Sequence, residues 1–203
     1  MNMEIQRQLV HLAGFLSVIL AVFIGRLIVV YFFTAAAVLG IYSIYIKKER
    51  ERLNLIEKME TKIREFVMKF ERKNIPRPFT GAIWFFLTSG VVYLIFPLDI
   101  ASAAVLMLAI GDSFSTLAGI HLGRHRIIGK KTLEGTLACF IGCLFSVFFA
   151  PLYVVIPGAV AATLAEIAPD LRIFSGMKKK GWIDDNLLIP VVAGIVMLAV
   201  TCL

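Results

Sequence analysis

Two carboxylates, Asp112 and Glu166, lie inside long apolar stretches of this 203-residue chain. An acid at the centre of a membrane helix costs on the order of 2.5–3.5 kcal/mol on insertion scales, so one that is kept there needs a reason. For either residue alone, a hydrogen bond or ion pair that locks two helices is reason enough. The neighbouring residues argue for chemistry instead. Asp112 sits in Ala109-Ile110-Gly111-Asp112-Ser113-Phe114-Ser115-Thr116-Leu117-Ala118-Gly119, whose small and hydroxyl-bearing residues allow close backbone approach and can line a wet cavity. Soon after comes Gly123-Arg124-His125-Arg126-Ile127-Ile128-Gly129-Lys130-Lys131-Thr132-Leu133-Glu134-Gly135-Thr136, with three glycines, four cations and two hydroxyls in fourteen residues. Glycines let backbone N–H groups reach a phosphate chain, cations neutralise it, and a loop running into a helix N-terminus offers unpaired donors to an anion. The GxxxxGK[ST] spacing of a Walker A loop is absent.

A third group is Asp184-Asp185-Asn186, immediately ahead of the apolar run from Leu187. One or two carboxylates together with phosphate oxygens are what Mg²⁺ requires, while Asp before an apolar run is also a common helix cap. One of the two acids is expected to cap and the other to face the site. Near the N-terminus, Arg7 and His11 are four apart and share a helix face, from which either could touch a phosphate. His121 and His125 flank the basic loop and read as solvated.

These groups must be held by membrane helices. The chain is 59% hydrophobic and 17% charged, with mean hydropathy +0.86, against roughly 25% charged in soluble proteins. That balance excludes a secreted disulfide scaffold, a disordered tail or a nucleic-acid-binding module, and the net charge of +7 reports loop sidedness. Cys139, Cys143 and Cys202 lie in apolar stretches without a histidine at metal-ligand spacing and read as packing residues. Apolar runs of about 20 residues suit a span. The expected spans are Leu9–Gly25, Leu27–Ile46, Phe79–Leu98, Ile100–Gly123 and Leu187–Leu203, with two short helices over Gly135–Ala168 meeting at a turn made by Pro151 and Pro157. The first run is too long for a signal-peptide core and lacks its cleavage pattern, so it stays as a span.

The fold class expected is therefore an all-α, polytopic bundle of about seven transmembrane spans, with residues 1–203 forming one catalytic domain. Between the second and third spans, Ile56, Met59, Ile63, Phe66, Val67 and Phe70 recur at three- and four-residue spacing, predicting an amphipathic cytoplasmic helix over Lys47–Asn74. Seven spans place the basic segments Lys47–Arg77, Arg124–Glu134 and Lys178–Lys180 together in the cytoplasm, with the N-terminus, and leave the C-terminus outside. A six-span arrangement puts Lys178–Lys180 outside and fits less well. With seven spans, the acids, the basic loop, Arg7 and His11 all fall in or near the cytoplasmic half. Such a set implies an enzyme that joins a water-soluble phosphate donor to a lipid.

Four ordered motifs, Gly111-Asp112, Gly119-x3-Gly123-Arg124, Lys130-Lys131-Thr132-Leu133-Glu134-Gly135 and Asp184-Asp185-Asn186-Leu187-x2-Pro190, resemble those of the CTP-dependent lipid kinases. This family comprises the dolichol and polyprenol kinases, phytol kinase and the CTP-using diacylglycerol kinases, distant relatives of the CDP-diacylglycerol synthases. Arg7-x3-His11-Leu12 also looks like the family's N-terminal motif, and Glu166 falls where the family has an acid. The resemblance implies transfer of the γ-phosphate of CTP, with Mg²⁺, to a lipid hydroxyl, and a polyprenol or dolichol is the acceptor expected. On this resemblance Asp112, Asp184 and Asp185 hold Mg²⁺ or orient the hydroxyl, and Lys130, Lys131 and Thr132 grip the triphosphate. Glu134 and Glu166 orient those groups, with His11 a further catalytic candidate. Arg7, Gly111, Ser115, Gly123, Arg124, Gly135 and Asn186 complete the nucleotide site. Ser115 stands where many members have alanine and Thr132 where many have serine. Eukaryotic dolichol kinases have many more spans, so the acceptor does not carry over from them. The partners implied are the nucleotide, the lipid alcohol and membrane lipids, without nucleic acid; homo-oligomerisation stays open. Competing readings are a diacylglycerol or phytol kinase, a cytidylyltransferase acting on a lipid phosphate, and a small ion-coupled transporter.

Overall fold

The computed structural model describes residues 3–48, 80–174, 176 and 184–203, and the side chains of 14–44, 80–171, 173, 174, 176 and 184–203. The Lys47–Asn74 helix, except for its first two residues, and the Lys178–Lys180 run lie outside the described residues, as do the side chains of Arg7 and His11.

Helix α1 (Met3–Ile24) meets α2 (Ile28–Lys48) at a short 3₁₀ turn, Gly25–Leu27. The apolar run Gly14–Ile44 would measure about 46 Å as one straight helix, well beyond a hydrocarbon core of about 30 Å. Gly25, at φ +59°, interrupts it. After α3 (Thr80–Ile95), Pro97 opens α4 (Leu98–Leu106), which runs through a π turn (Met107–Gly111) into α5 (Asp112–His121). Then follow strands β1 (Arg126–Ile128) and β2 (Lys131–Thr132), α6 (Leu133–Leu144) with a 3₁₀ end (Phe145–Phe148), α7 (Leu152–Ile167) and α8 (Asp185–Thr201).

Three apolar helical runs, Gly14–Ile44, Leu98–His121 and Leu152–Asp170, are long enough to cross a membrane. Thr80–Ile95, Leu133–Phe148 and Asp185–Thr201 are apolar but shorter. Every residue from Ile100 to Ala109 is buried, so α4 and the π turn form the central rod. A helix that is apolar all round has no wet face to present, and this one is rich in Ala and Ser, which lets neighbours approach closely. Around it α8 packs on α7 and α3, α2 on α3, α5 on α6, and α6 on α7. A stack of Phe32 on Tyr93, with centroids 5.5 Å apart, ties α2 to α3. At Gly158 an added Cβ would lie 2.5 Å from Met197 Cγ, which shows how tightly α7 meets α8.

Two expectations need correction. The basic loop is not wholly irregular in an all-α fold, because β1 and β2 pair as a small antiparallel hairpin (Arg126 with Thr132, Ile128 with Lys131) turning at Gly129, φ +56°. Its cations repel and its Gly129 favours the left-handed turn, a local signal that apolar periodicity does not register. Second, the break between the two short helices falls at Pro151 alone. Pro157 is the sixth residue of α7, near the helix start, and the helix continues through it. There proline removes one bond without ending the helix, and the neighbouring Tyr153 is exposed.

Candidate active site

The hairpin, α5, α7 and the start of α8 converge on Lys131. Its position follows from local rules. Thr132 has extended backbone and its Oγ1 accepts the Gly135 N–H at 3.2 Å, so it is the N-cap of α6. The His125 carbonyl accepts the Leu133 N–H at 2.8 Å, and the Glu134 carboxylate takes the His125 N–H at 3.3 Å and its ring Nδ1 at 2.7 Å. These bonds fix the hairpin on the first turn of α6. The Lys131 side chain is thereby turned inward.

Lys131 Nζ donates to Glu166 Oε1, which also accepts the Ser115 hydroxyl at 2.7 Å. Glu166 is fully buried and Asp112 is 3% exposed. Burial pulls the Lys131 ammonium toward neutrality, but the charges of Glu166, Asp185 and Asp112 outweigh it and raise its pKa above that of an ordinary lysine. Lys131 is thus held as a cation, paired with Glu166 and in the field of Asp112 and Asp185.

At the start of α8, Asp184 is the N-cap, its Oδ1 accepting the Asn186 N–H at 3.0 Å and Nδ2 at 2.6 Å. Asp185 is the first helical residue, and its Oδ1 also accepts the Asn186 N–H, at 3.1 Å. The expected capping acid is Asp184, and α8 starts two residues ahead of the span expected from Leu187. Burial and the adjacent Asp185 charge push the Asp184 carboxyl up to about 8. Pro190, inside α8, has no N–H to give to the Asn186 carbonyl four residues back, so that carbonyl lacks its helical partner.

Does this set suit Mg²⁺? Among the described residues no three of His, Cys, Asp and Glu are gathered into a cage. Mg²⁺ seldom uses one, being bound through one or two carboxylates plus substrate phosphates and water. Glu166 Oε2 and Asn186 Oδ1 are buried oxygens without a hydrogen-bond partner among the described residues. Lys131, paired with Glu166 and in the field of Asp112 and Asp185, is a single cation among three acids, and the two unmet acceptors leave the surroundings rich in oxygen and short of positive charge. The residues fit the ion.

Arg124 and Lys130 are exposed on the hairpin with Arg126. Glu134 serves His125 and is not part of the Lys131 cluster. The glycines have a packing role: an added Cβ at Gly123 would lie 2.2 Å from the Gly119 carbonyl oxygen, one at Gly135 2.8 Å from the Ser115 carbonyl, and one at Gly111 2.7 Å from Cys143 Sγ. Sequence reasoning counted Thr136 in the basic loop but did not place it in the site; its hydroxyl is buried in the first turn of α6 without a hydrogen-bond partner among the described residues. Its place directly after the Lys-Lys-Thr-Leu-Glu-Gly run was the available signal.

The chain is similar to CTP-dependent diacylglycerol kinase 1 of Schizosaccharomyces pombe, at 28% identity over 132 residues. The resemblance to CTP-dependent lipid kinases is borne out. The match covers 60% of this chain and 61% of that relative, so the chain spans about three fifths of the relative's length. No protein-family model matches the chain, and no solved structure does. A relative that acts on lipid and apolar helices of membrane length together make this an integral membrane protein.

Proposed function

We propose that this chain is a membrane lipid kinase that transfers the γ-phosphate of CTP to the hydroxyl of a neutral lipid alcohol. The observation that carries the reading is Lys131, turned inward from the basic hairpin onto the buried Glu166, which Ser115 also bonds, and lying in the field of Asp112 and Asp185. Phosphoryl transfer is chiefly positioning and charge neutralisation, and this arrangement supplies both. Arg124, Arg126 and Lys130 draw the triphosphate to the hairpin. Lys131 neutralises charge at the transferred group, and Glu166 and Ser115 position Lys131. Asp112 and Asp185 would hold Mg²⁺, which would supply further neutralisation of the phosphate oxygens, and they orient the lipid hydroxyl. The hydroxyl oxygen bonds to the γ-phosphorus as the bond to the β–γ bridging oxygen breaks, CDP leaves, and the hydroxyl proton passes to a carboxylate of the cluster.

The relative's activity makes diacylglycerol the first acceptor to test, ahead of the polyprenol or dolichol expected from motifs alone. The protein has seven spans, with the N-terminus, the hairpin and the acidic turn in the cytoplasm and the C-terminus outside. Purified protein with γ-labelled or α-labelled CTP, Mg²⁺ and a panel of diacylglycerol, polyprenol and phytol decides the reaction. Label from the γ position should enter the lipid. Label from the α position would instead make the protein a cytidylyltransferase, and ion flux without labelling would make it a transporter.

A further inference from the structure

Asp170 is an acid for which the reaction has so far found no use. It ends a 3₁₀ turn, Ala168–Asp170, that continues α7 past Ile167, with Pro169 buried and the Leu171 N–H bonded to the Ala168 carbonyl at 3.0 Å. The Asp170 side chain lies against the turn of the basic hairpin. A Cβ built on Gly129 would sit 3.6 Å from Asp170 Oδ1 and 3.8 Å from its Cβ, in ordinary van der Waals contact. Two residues further on, Lys131 bonds Glu166, which stands four residues before Asp170. Two residues of chain reach at most about 7 Å and four residues of helix rise about 6 Å, so two points on the hairpin match two points one turn apart on α7. Both points on α7 are acids, and the hairpin carries Arg124, Arg126, Lys130 and Lys131.

We infer that Asp170 is a positioning residue for the phosphate donor: it seats the hairpin turn on α7, so that Lys131 stays on Glu166 and the exposed cations meet an incoming polyphosphate as one set. The inference rests on the lipid-kinase reading. His125 and Glu134 hold the base of the hairpin and Lys131 its inner strand. The tip would still be free to pivot about those points, and a contact on the same rigid helix that carries Glu166 removes that freedom. Cations ordered beforehand spare the nucleotide the entropy of ordering them. Asp170 acts through the hairpin and touches no reacting atom.

Two measurements on the full chain in phosphatidylcholine nanodiscs test this. Asp170→Ala should raise KM for CTP roughly tenfold, the cost of ordering one or two freed side chains, and leave KM for diacylglycerol unchanged. An unaltered KM for CTP, or an equal rise for both substrates, would overturn the inference. The second measurement pairs Gly129→Cys with Asp170→Cys in a Cys202→Ser chain, because 3.8 Å between the two Cβ positions suits a disulfide. Mild oxidation should join the two, as read by peptide mass spectrometry. It should also bring the CTP dissociation constant to within about twofold of that of the Cys202→Ser chain, and reduction should weaken binding again roughly tenfold. Absence of the cross-link, or a cross-linked protein that binds CTP no better than the reduced one, would overturn the inference. CTP binding that depends on Asp170 in this way, in a chain that phosphorylates no lipid, would sink the kinase reading and leave the seated hairpin in place.

Discussion

Lys131 and Glu166 are the pair on which the site turns, and their pairing has consequences for stability and activity separately. Removing one partner of a buried pair leaves the other charge uncompensated and typically costs about 3–5 kcal/mol, whereas replacing both with neutral groups is often close to neutral. Lys131→Met alone should therefore lower the thermal unfolding midpoint in detergent, and Lys131→Met with Glu166→Gln should recover most of the loss without recovering activity. If the double variant regains lipid phosphorylation, Lys131 is only a structural lock. Asp112→Asn should abolish lipid labelling by γ-labelled CTP in a protein that still folds, with retained activity removing Asp112 from the chemistry. The acids themselves were legible in the sequence because charges are rare inside apolar runs. Their partnership was not, since Lys131 and Glu166 are 35 residues apart and on different elements.

At the scale of elements, the local signals served well. Thr132 and Asp184 cap their helices as Thr and Asp before apolar runs should, and Pro151 separates α6 from α7. The glycines of the basic loop were read as making room for phosphate, and at Gly123 and Gly135 the room is already filled by Gly119, Ser115 and Thr132. Nothing in the spacing could show that, because the approach of the loop to α5 is a tertiary fact. Gly123→Ala should cost about 1–3 kcal/mol through overpacking and reduce activity by displacing the hairpin. Gly40→Ala, where an added Cβ meets nothing within 4 Å, should leave both unchanged. Circular dichroism melts and a CTP titration of the two variants make the comparison.

For the whole molecule, the number of spans has a direct reporter. Cys202 is exposed at the end of α8, while Cys139 and Cys143 are buried. With seven spans, a membrane-impermeant maleimide should label intact cells at Cys202. Labelling only after permeabilisation would place the C-terminus inside. A different property follows from the π turn in the central rod. Such a turn holds one residue more than an α-helical turn, so it stores a single residue of slack within the chain. Deleting Leu108 should let the rod relax to a regular α-helix, with Asp112 and Ser115 still facing α7, and much of the activity should survive. The same deletion in α7, of Ala161, has no slack to absorb it and would swing Glu166 by about 100° around its axis. The protein should thus accept a change of length in its most buried helix, beside its most demanding residue, and refuse the same change in the helix next to it.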